Sequence, residues 1–262
     1  MCGIAGYSLK HDAEIDRTLA AQALLAGIAE RGADAVGYAH RAPGGRVQVH
    51  KRQSGASALL TDLTLPEESI EVLLHVRDYT KGHPTISANN HPVRHGRVVG
   101  VHNGIILNDE EIFDRNGFER NDPSMTVDTE AIFALVEHFG PFSETLEELH
   151  GSMATAWVDE RERGSVYLAR GVGRPLWTGE SADGIFFAST RHALEVLERF
   201  LEIRLKKREL DEGTLVVLTA GRIEQKVRFR TDRRFTERPL PAVRAPAERE
   251  SCLRLLTALA SV

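Results

Sequence analysis

The second half of this chain is a succession of short apolar runs that read as strands. MATAWVD (153–159), SVYLAR (165–170), GIFFAS (184–189) and TLVVLT (214–219) are separated by turn residues, with one helical stretch at 191–200. They have strand length and are rich in β-branched and aromatic residues. A parallel sheet would need a crossover helix between successive strands, and that regular alternation is absent. The chain is therefore predicted to be α+β, a layered sandwich built on antiparallel sheets.

The first half adds strands and the helices to cover them. Residues 2–9 read as a buried strand starting almost at the terminus, and 14–30 carry apolar residues at helical spacing up to Arg31-Gly32. Segments 35–40 and 46–51 flank a Pro-Gly-Gly turn, and IEVLLHV (70–76) is a further strand. A Gly/Pro/Asn-rich loop runs from Asp78 to Pro92, and RVVGVH (97–102) is a strand expected to end at Asn103-Gly104. A helical turn starts at Asp109, Asp128 is positioned to cap a helix closed by Gly140, and 143–149 reads as a second helical piece. The proline-rich ERPLPAVRAPAERE reads as an extended strap, followed by a short terminal helix.

Composition removes several function classes. Hydrophobic residues make up 42% of 262, enough for one large domain. A net charge of -5 offers no electrostatic basis for nucleic-acid binding. The basic clusters at 204–208 and 226–234 have acidic residues nearby and read as solvated surface. No 18-residue apolar run is present, so no membrane span is expected. MCGIAGYSLKHD lacks the basic flank and long apolar core of a signal peptide, so a cytoplasmic location is expected, where a thiol stays reduced. Two cysteines, Cys2 and Cys252, do not make a disulfide framework. Self-association into a homo-oligomer is compatible with this composition.

Cys2 has two readings. It is either a small hydrophobe at a strand start or, once Met1 is removed, a nucleophile with its own base. A terminal cysteine carries a free α-amino group of pKa about 7.7–8.0, which can take the thiol proton. Asn103-Gly104 likewise reads either as a turn dipeptide or as an oxyanion hole, a side-chain amide beside an approachable backbone N–H. Arg31 and Asp34 suit a structural role holding a loop, and Arg77 could be a surface ion pair.

Five ordered motifs narrow these choices. MCGIAGY at the start, RGADAVG (31–37), HVRDYTKG (75–82) with NNHP (89–92), VHNGIILN (101–108) and VDTE (127–130) resemble the class II glutamine amidotransferases. Weaker matches run through GSMATAWV, YLARGVGRPLWTG, FFAST and LDEGTLVVL, so the resemblance covers residues 2–230. It is nearest the glutaminase domain of the glucosamine-6-phosphate synthase type, with the phosphoribosylpyrophosphate amidotransferase type next. It implies a four-layer αββα N-terminal nucleophile hydrolase fold over 2–235, with 236–262 as the strap and short C-terminal segment.

The resemblance also implies roles. Cys2 would attack L-glutamine, with Asn103 and Gly104 as oxyanion donors. Arg77 would fork onto the α-carboxylate and Asp128 would pair with the α-ammonium. Thr80 and Gly82 would line the substrate loop, with Arg31, Asp34 and His102 supporting the site. No cofactor is implied. His75, His91 and His102 need not be metal ligands, and His102 suits a hydrogen-bonded core histidine.

The chain departs from the pattern in two ways. The aromatic after the loop arginine is replaced by Asp78 and the following histidine by Lys81, which could pair with each other or with a partner. Leu107-Asn108 keeps only the Asn of the family's Glu-Asn. Too few residues follow the last match for a synthase domain, and ammonia released into neutral water becomes non-nucleophilic ammonium. A stand-alone glutaminase feeding an ammonia-accepting synthase subunit is therefore expected. The alternatives are an amidohydrolase acting on another γ-glutamyl or amide substrate, and a silent regulatory binding domain. Retained Arg77 and Asp128 favour a free α-amino acid.

Overall fold

The computed structural model describes residues 2–236 and 243–260. The chain runs β1 (Gly3–Leu9), α1 (Arg17–Ile28), β2 (Ala35–Arg41), β3 (Val47–Arg52), α2 (Ser57–Leu60), β4 (Glu71–Arg77), β5 (Val93–His95) and β6 (Val98–Ile106). It continues through α3 (Asp109–Asn116), α4 (Glu130–Phe139), α5 (Ser143–Glu147), β7 (Gly151–Asp159), β8 (Ser165–Arg170), β9 (Trp177–Glu180) and β10 (Gly184–Ala188). The last elements are α6 (Arg191–Leu201), β11 (Lys206–Glu209), β12 (Thr214–Thr219), β13 (Arg222–Arg228) and α7 (Pro246–Leu259).

Two antiparallel sheets form, in the orders β11-β9-β10-β1-β4-β2-β3 and β13-β12-β8-β7-β6-β5. Three apolar cores define the layers. Ile4, Leu73, Val101, Ala156, Leu168 and Phe187 fill the space between the sheets. Leu24, Leu25 and Ile28 of α1, with Leu194 and Leu197 of α6, cover the outside of the first sheet. Ile132, Phe133 and Val136 of α4 cover the second. Helix, sheet, sheet and helix are thus stacked, the α+β arrangement expected from the sequence. Strand alternation explains the sorting: in β4, Leu73 faces the partner sheet while Val72 and Leu74 face α1.

Local signals account for several boundaries. Asp16 accepts from the Leu19 N–H at 2.9 Å, so α1 starts at Arg17 although apolar spacing extends upstream. Gly140 ends α4 at φ 89°. Two expectations are corrected. Asn103-Gly104 does not end a strand: β6 continues to Ile106, with Asn103 opposite Ala154 and Gly104 opposite Met153 in β7. Asp128 does not cap α4, whose N-cap is Thr129 without a side-chain capping bond; the Asp128 carboxylate instead accepts from the Ile106 N–H at 2.6 Å. The edge strands β5, β11 and β13 lack apolar alternation, since an edge strand can remain largely polar, and β9, paired on both sides, is only 4 residues long. Of the proline-rich strap, residues 237–242 lie outside the described residues.

Candidate active site

Cys2 immediately precedes β1, a central strand between β4 and β10. Alternation puts it on the same face as Ile4, toward the gap between the sheets. Its carbonyl accepts from Arg31 Nε at 2.8 Å, and its thiol donates to the Asp78 carbonyl at 3.4 Å. Ile4 is held from the other side by buried Ser189, whose Oγ accepts from the Ile4 N–H at 2.7 Å and donates to the Ile4 carbonyl at 3.0 Å. The nucleophile candidate therefore hangs from a strand pinned on both sides. Burial pushes the thiol above its usual pKa, while the nearby positive charge of Arg77 draws it down.

Arg77, at the end of β4, is buried. Its Nη1 donates to Asn90 Oδ1 at 2.6 Å, and Nη2 donates to the carbonyls of Lys81, at 2.9 Å, and Gly82. Burial lowers its pKa, opposed by the Cys2 thiol, Asp128 and Asp34. The guanidinium thus lies in the electrostatic field of both Cys2 and Asp128. Its Nη2 edge is committed to its own loop, so engaging a carboxylate through both Nη groups requires it to release one of these carbonyls. Gly82 makes the fold-back possible at φ 78°. Thr80 is exposed. Asp34 holds the loop from the opposite side, accepting from the Tyr79 N–H at 2.9 Å while its own N–H donates to the Arg77 carbonyl at 2.9 Å.

Asn103 approaches from the second sheet. It alternates with Val99 and Val101, which face the gap between the sheets, so it lies on that same inner face. Its side chain is buried, and neither Oδ1 nor Nδ2 has a hydrogen-bond partner among the described residues. Such a group costs stability, about 1–3 kcal/mol in mutational data. Gly104 follows at φ 152°; a Cβ there would lie 2.0 Å from the Ser152 carbonyl oxygen, so β6 and β7 approach too closely for any side chain.

A relay of neutral imidazoles supports this strand. His102 Nε2 lies 3.3 Å from the Ser152 carbonyl and His75 Nε2 3.2 Å from the His102 carbonyl, so both nitrogens are donors. His102 Nδ1 must then accept from Thr129 Oγ1 at 3.0 Å, leaving that oxygen to accept from His91 Nε2 at 2.9 Å. Burial lowers the pKa of His102 to about 3, and those of His75 and His91 well below the usual range. His102 is the hydrogen-bonded core histidine expected. Among the described residues no group of three or more His, Cys, Asp or Glu side chains could hold a metal ion.

Asp128 lies buried beside β6, bound to the Ile106 N–H. Burial, with the charge of Asp109, raises its pKa to about 6, against the pull of that N–H. Asp109 is itself buried and meets Lys81 Nζ at 2.8 Å from both oxygens; Glu110 adds a 3.2 Å contact. Asp78 instead meets Arg244 Nε at 3.3 Å. The two unusual loop residues therefore pair with opposite flanks and not with each other.

A family model described as a glutamine amidotransferase domain matches residues 75–196. The glutamine–fructose-6-phosphate aminotransferase (isomerizing) of Halalkalibacterium halodurans is 29% identical over 230 residues, covering 83% of this chain and 36% of the relative. That of Geobacillus kaustophilus is 31% identical over 237 residues, covering 85% and 36%. This chain carries a class II glutamine amidotransferase domain. It spans about a third of the length of these curated relatives, at 36%.

Solved amidotransferases share the domain's fold. Glutamine phosphoribosylpyrophosphate amidotransferase from B. subtilis, complexed with ADP and GMP, gives a TM-score of 0.69 at 20% identity over 87% of this chain and 49% of its own. A glutamine aminotransferase class-II domain protein from Silicibacter pomeroyi gives 0.53 at 16% identity over 88% and 100%. In the amidotransferase domain described here, sequence reasoning missed Asn90, Thr129, Ser189, Asp109 and Arg244. Asn90 lay in view within NNHP and Thr129 within VDTE. Asp109 read as an ordinary first-turn acid, and nothing in the sequence ties Arg244 to Asp78.

Proposed function

We propose that this amidotransferase domain hydrolyses L-glutamine to glutamate and ammonia through Cys2. The carrying observation is the buried Asn103 amide, left without a hydrogen-bond partner among the described residues on the face toward which Cys2 is directed. In this reading Met1 is removed and the freed Cys2 amine accepts the thiol proton. Sγ attacks the side-chain amide carbon of glutamine, and the oxygen that becomes negative is held by Asn103 Nδ2 and the Gly104 N–H. The amide nitrogen takes a proton and leaves as ammonia. Water then attacks the γ-glutamyl thioester, returning the thiol and releasing glutamate.

The substrate's two charged ends find complementary partners. Arg77 binds the α-carboxylate after giving up a loop carbonyl, and Asp128 binds the α-ammonium. Asp128 must be ionised for this, and the incoming ammonium lowers a carboxyl pKa that burial has raised. Water around the nucleophile is limited by the loop that Arg77 and Asp34 hold in place. A separate synthase subunit accepting the ammonia deepens this reading. It is supported by the protonation ammonia undergoes in bulk water, which would leave it non-nucleophilic unless it were passed on directly. The test is glutamate and ammonia release from L-glutamine by the purified chain. Stoichiometric release abolished by Cys2→Ala supports the assignment; turnover that survives Cys2→Ala overturns it.

A further inference from the structure

The glutamine loop departs from its family at Asp78, and the structure pairs that residue with a part of the chain beyond the last motif of the resemblance. Asp78 has one atom on the nucleophile, its carbonyl accepting from the Cys2 thiol at 3.4 Å. Its carboxylate meets Arg244 Nε at 3.3 Å, with the two side chains 23% and 46% exposed. Arg31 also feels the Asp78 charge. Arg244 is not a free surface side chain. Its N–H and that of Ala245 donate to the Glu30 carbonyl at 2.8 and 2.9 Å. The helix that follows is fastened to the same layer. Arg249 Nη1 meets Glu30 Oε2 at 2.9 Å, and the Glu248 carboxylate accepts from the Ser57 N–H at 2.9 Å and from Ser57 Oγ at 3.2 Å. Cys252 and Leu256 are buried in the outer core beside α1.

These contacts close a ring around Cys2. From Glu30 one branch passes to its neighbour Arg31 and so to the Cys2 carbonyl, and the other passes through Arg244 to Asp78 and so to the Cys2 thiol. We propose that Arg244 is a positioning residue of the glutamine site, holding the 78–82 loop over Cys2 through Asp78, so that the C-terminal segment completes the site. An ion pair replaces the family's aromatic side chain at this position. The proposal rests on the glutamine reading for its functional consequence, and its structural half stands apart from that reading.

The magnitude follows from exposure. A half-exposed ion pair contributes up to about a fivefold shift in a local equilibrium. It is weakened but not removed at 1 M salt, where the Debye length of about 3 Å is close to the 3.3 Å separation of the pair. Arg244→Gln in the full chain is compared with wild type by amide hydrogen exchange across 78–82 and by the KM and kcat for glutamine. Expected are exchange and KM raised up to about fivefold, little change in kcat, recovery in Arg244→Lys, and a difference that shrinks at 1 M NaCl. Asp78→Asn removes the same contact from the loop side, should Arg244→Gln fold poorly. Unchanged loop exchange in both variants, or faster exchange with unchanged KM, overturns the proposal. If wild type releases no glutamate while the variants loosen the loop, the latch stands and the glutamine reading fails. If wild type turns over and neither variant differs from it, the reading stands and the latch fails.

Discussion

Asn103→Ala should separate stability from activity, with opposite signs. The Asn103 amide is buried and both of its polar atoms lack a partner among the described residues. An unsatisfied buried polar group costs about 1–3 kcal/mol, which the substitution relieves. The small cavity left behind takes back part of that, at about 24 cal/mol per Å3 of residual volume. The net expectation is a gain of about 1 kcal/mol, raising Tm by about 2–4 °C for a domain of this size. Loss of one oxyanion donor should reduce kcat by about 10²–10³-fold with little effect on glutamine KM. Thermal melts and steady-state glutaminase assays on the same preparations supply both numbers. If the variant loses several degrees of Tm and its activity falls only with its folded fraction, Asn103 is a structural residue and the oxyanion assignment is wrong.

Further outcomes follow from the geometry at Asp128, Thr129 and Lys81. Asp128 holds its proton up to a pKa of about 6 against 3.8 ordinarily, so its contribution to stability is full below 3.8 and is lost as pH rises through about 6. Wild type should lose up to about 3 kcal/mol across that window, a loss absent from Asp128→Asn in melts at a series of pH values. Glutamine binding has the opposite sign, because it needs the ionised carboxylate: kcat/KM should fall below about pH 6. In Asp128→Asn, KM should rise by about 10²-fold and this pH limb should vanish. Thr129→Val preserves shape but strands His91 Nε2 and His102 Nδ1, so a loss of about 1–3 kcal/mol is expected in chemical denaturation. Lys81→Met leaves buried Asp109, among the described residues, with the 3.5 Å contact to Arg120 alone, so lower Tm and higher glutamine KM should appear together.

Much of the fold was legible because the buried strands carry their own signature. GIFFA, SVYLAR and TLVVLT lie in sheet interiors, and burial demands the apolar runs that make them readable. The edge strand β13 hydrogen-bonds along one side only and can remain polar, so RIEQKVR gave no such signal. Asn103-Gly104 was misjudged as a strand end for a related reason. Its Gly serves a close β6–β7 approach rather than a turn, and only the partner strand reveals that. Asp128 has the residue type and position of a helix cap, but an N–H from β6 reached it first. Among the proposed site residues, Cys2, Arg77, Asn103 and Asp128 stand in the ordered motifs, because the chemistry proposed for them limits which residue types can serve. Asn90 and Ser189 act through geometry alone, and Arg244 lies 166 positions from Asp78 in the chain. Pairings of that kind are set by packing, and a single sequence does not encode them in any local pattern.

The central claim is that Cys2 carries a γ-glutamyl group during turnover. Acid quenching of the purified chain in the presence of L-glutamine, followed by mass spectrometry of the N-terminal peptide, tests it most directly. Expected is a peptide that begins at Cys2, bears a thiol-linked glutamyl adduct, and loses that adduct when glutamine is exhausted. A chain that retains Met1 yet turns over glutamine, or steady turnover with no adduct on Cys2 under single-turnover quench, would contradict it.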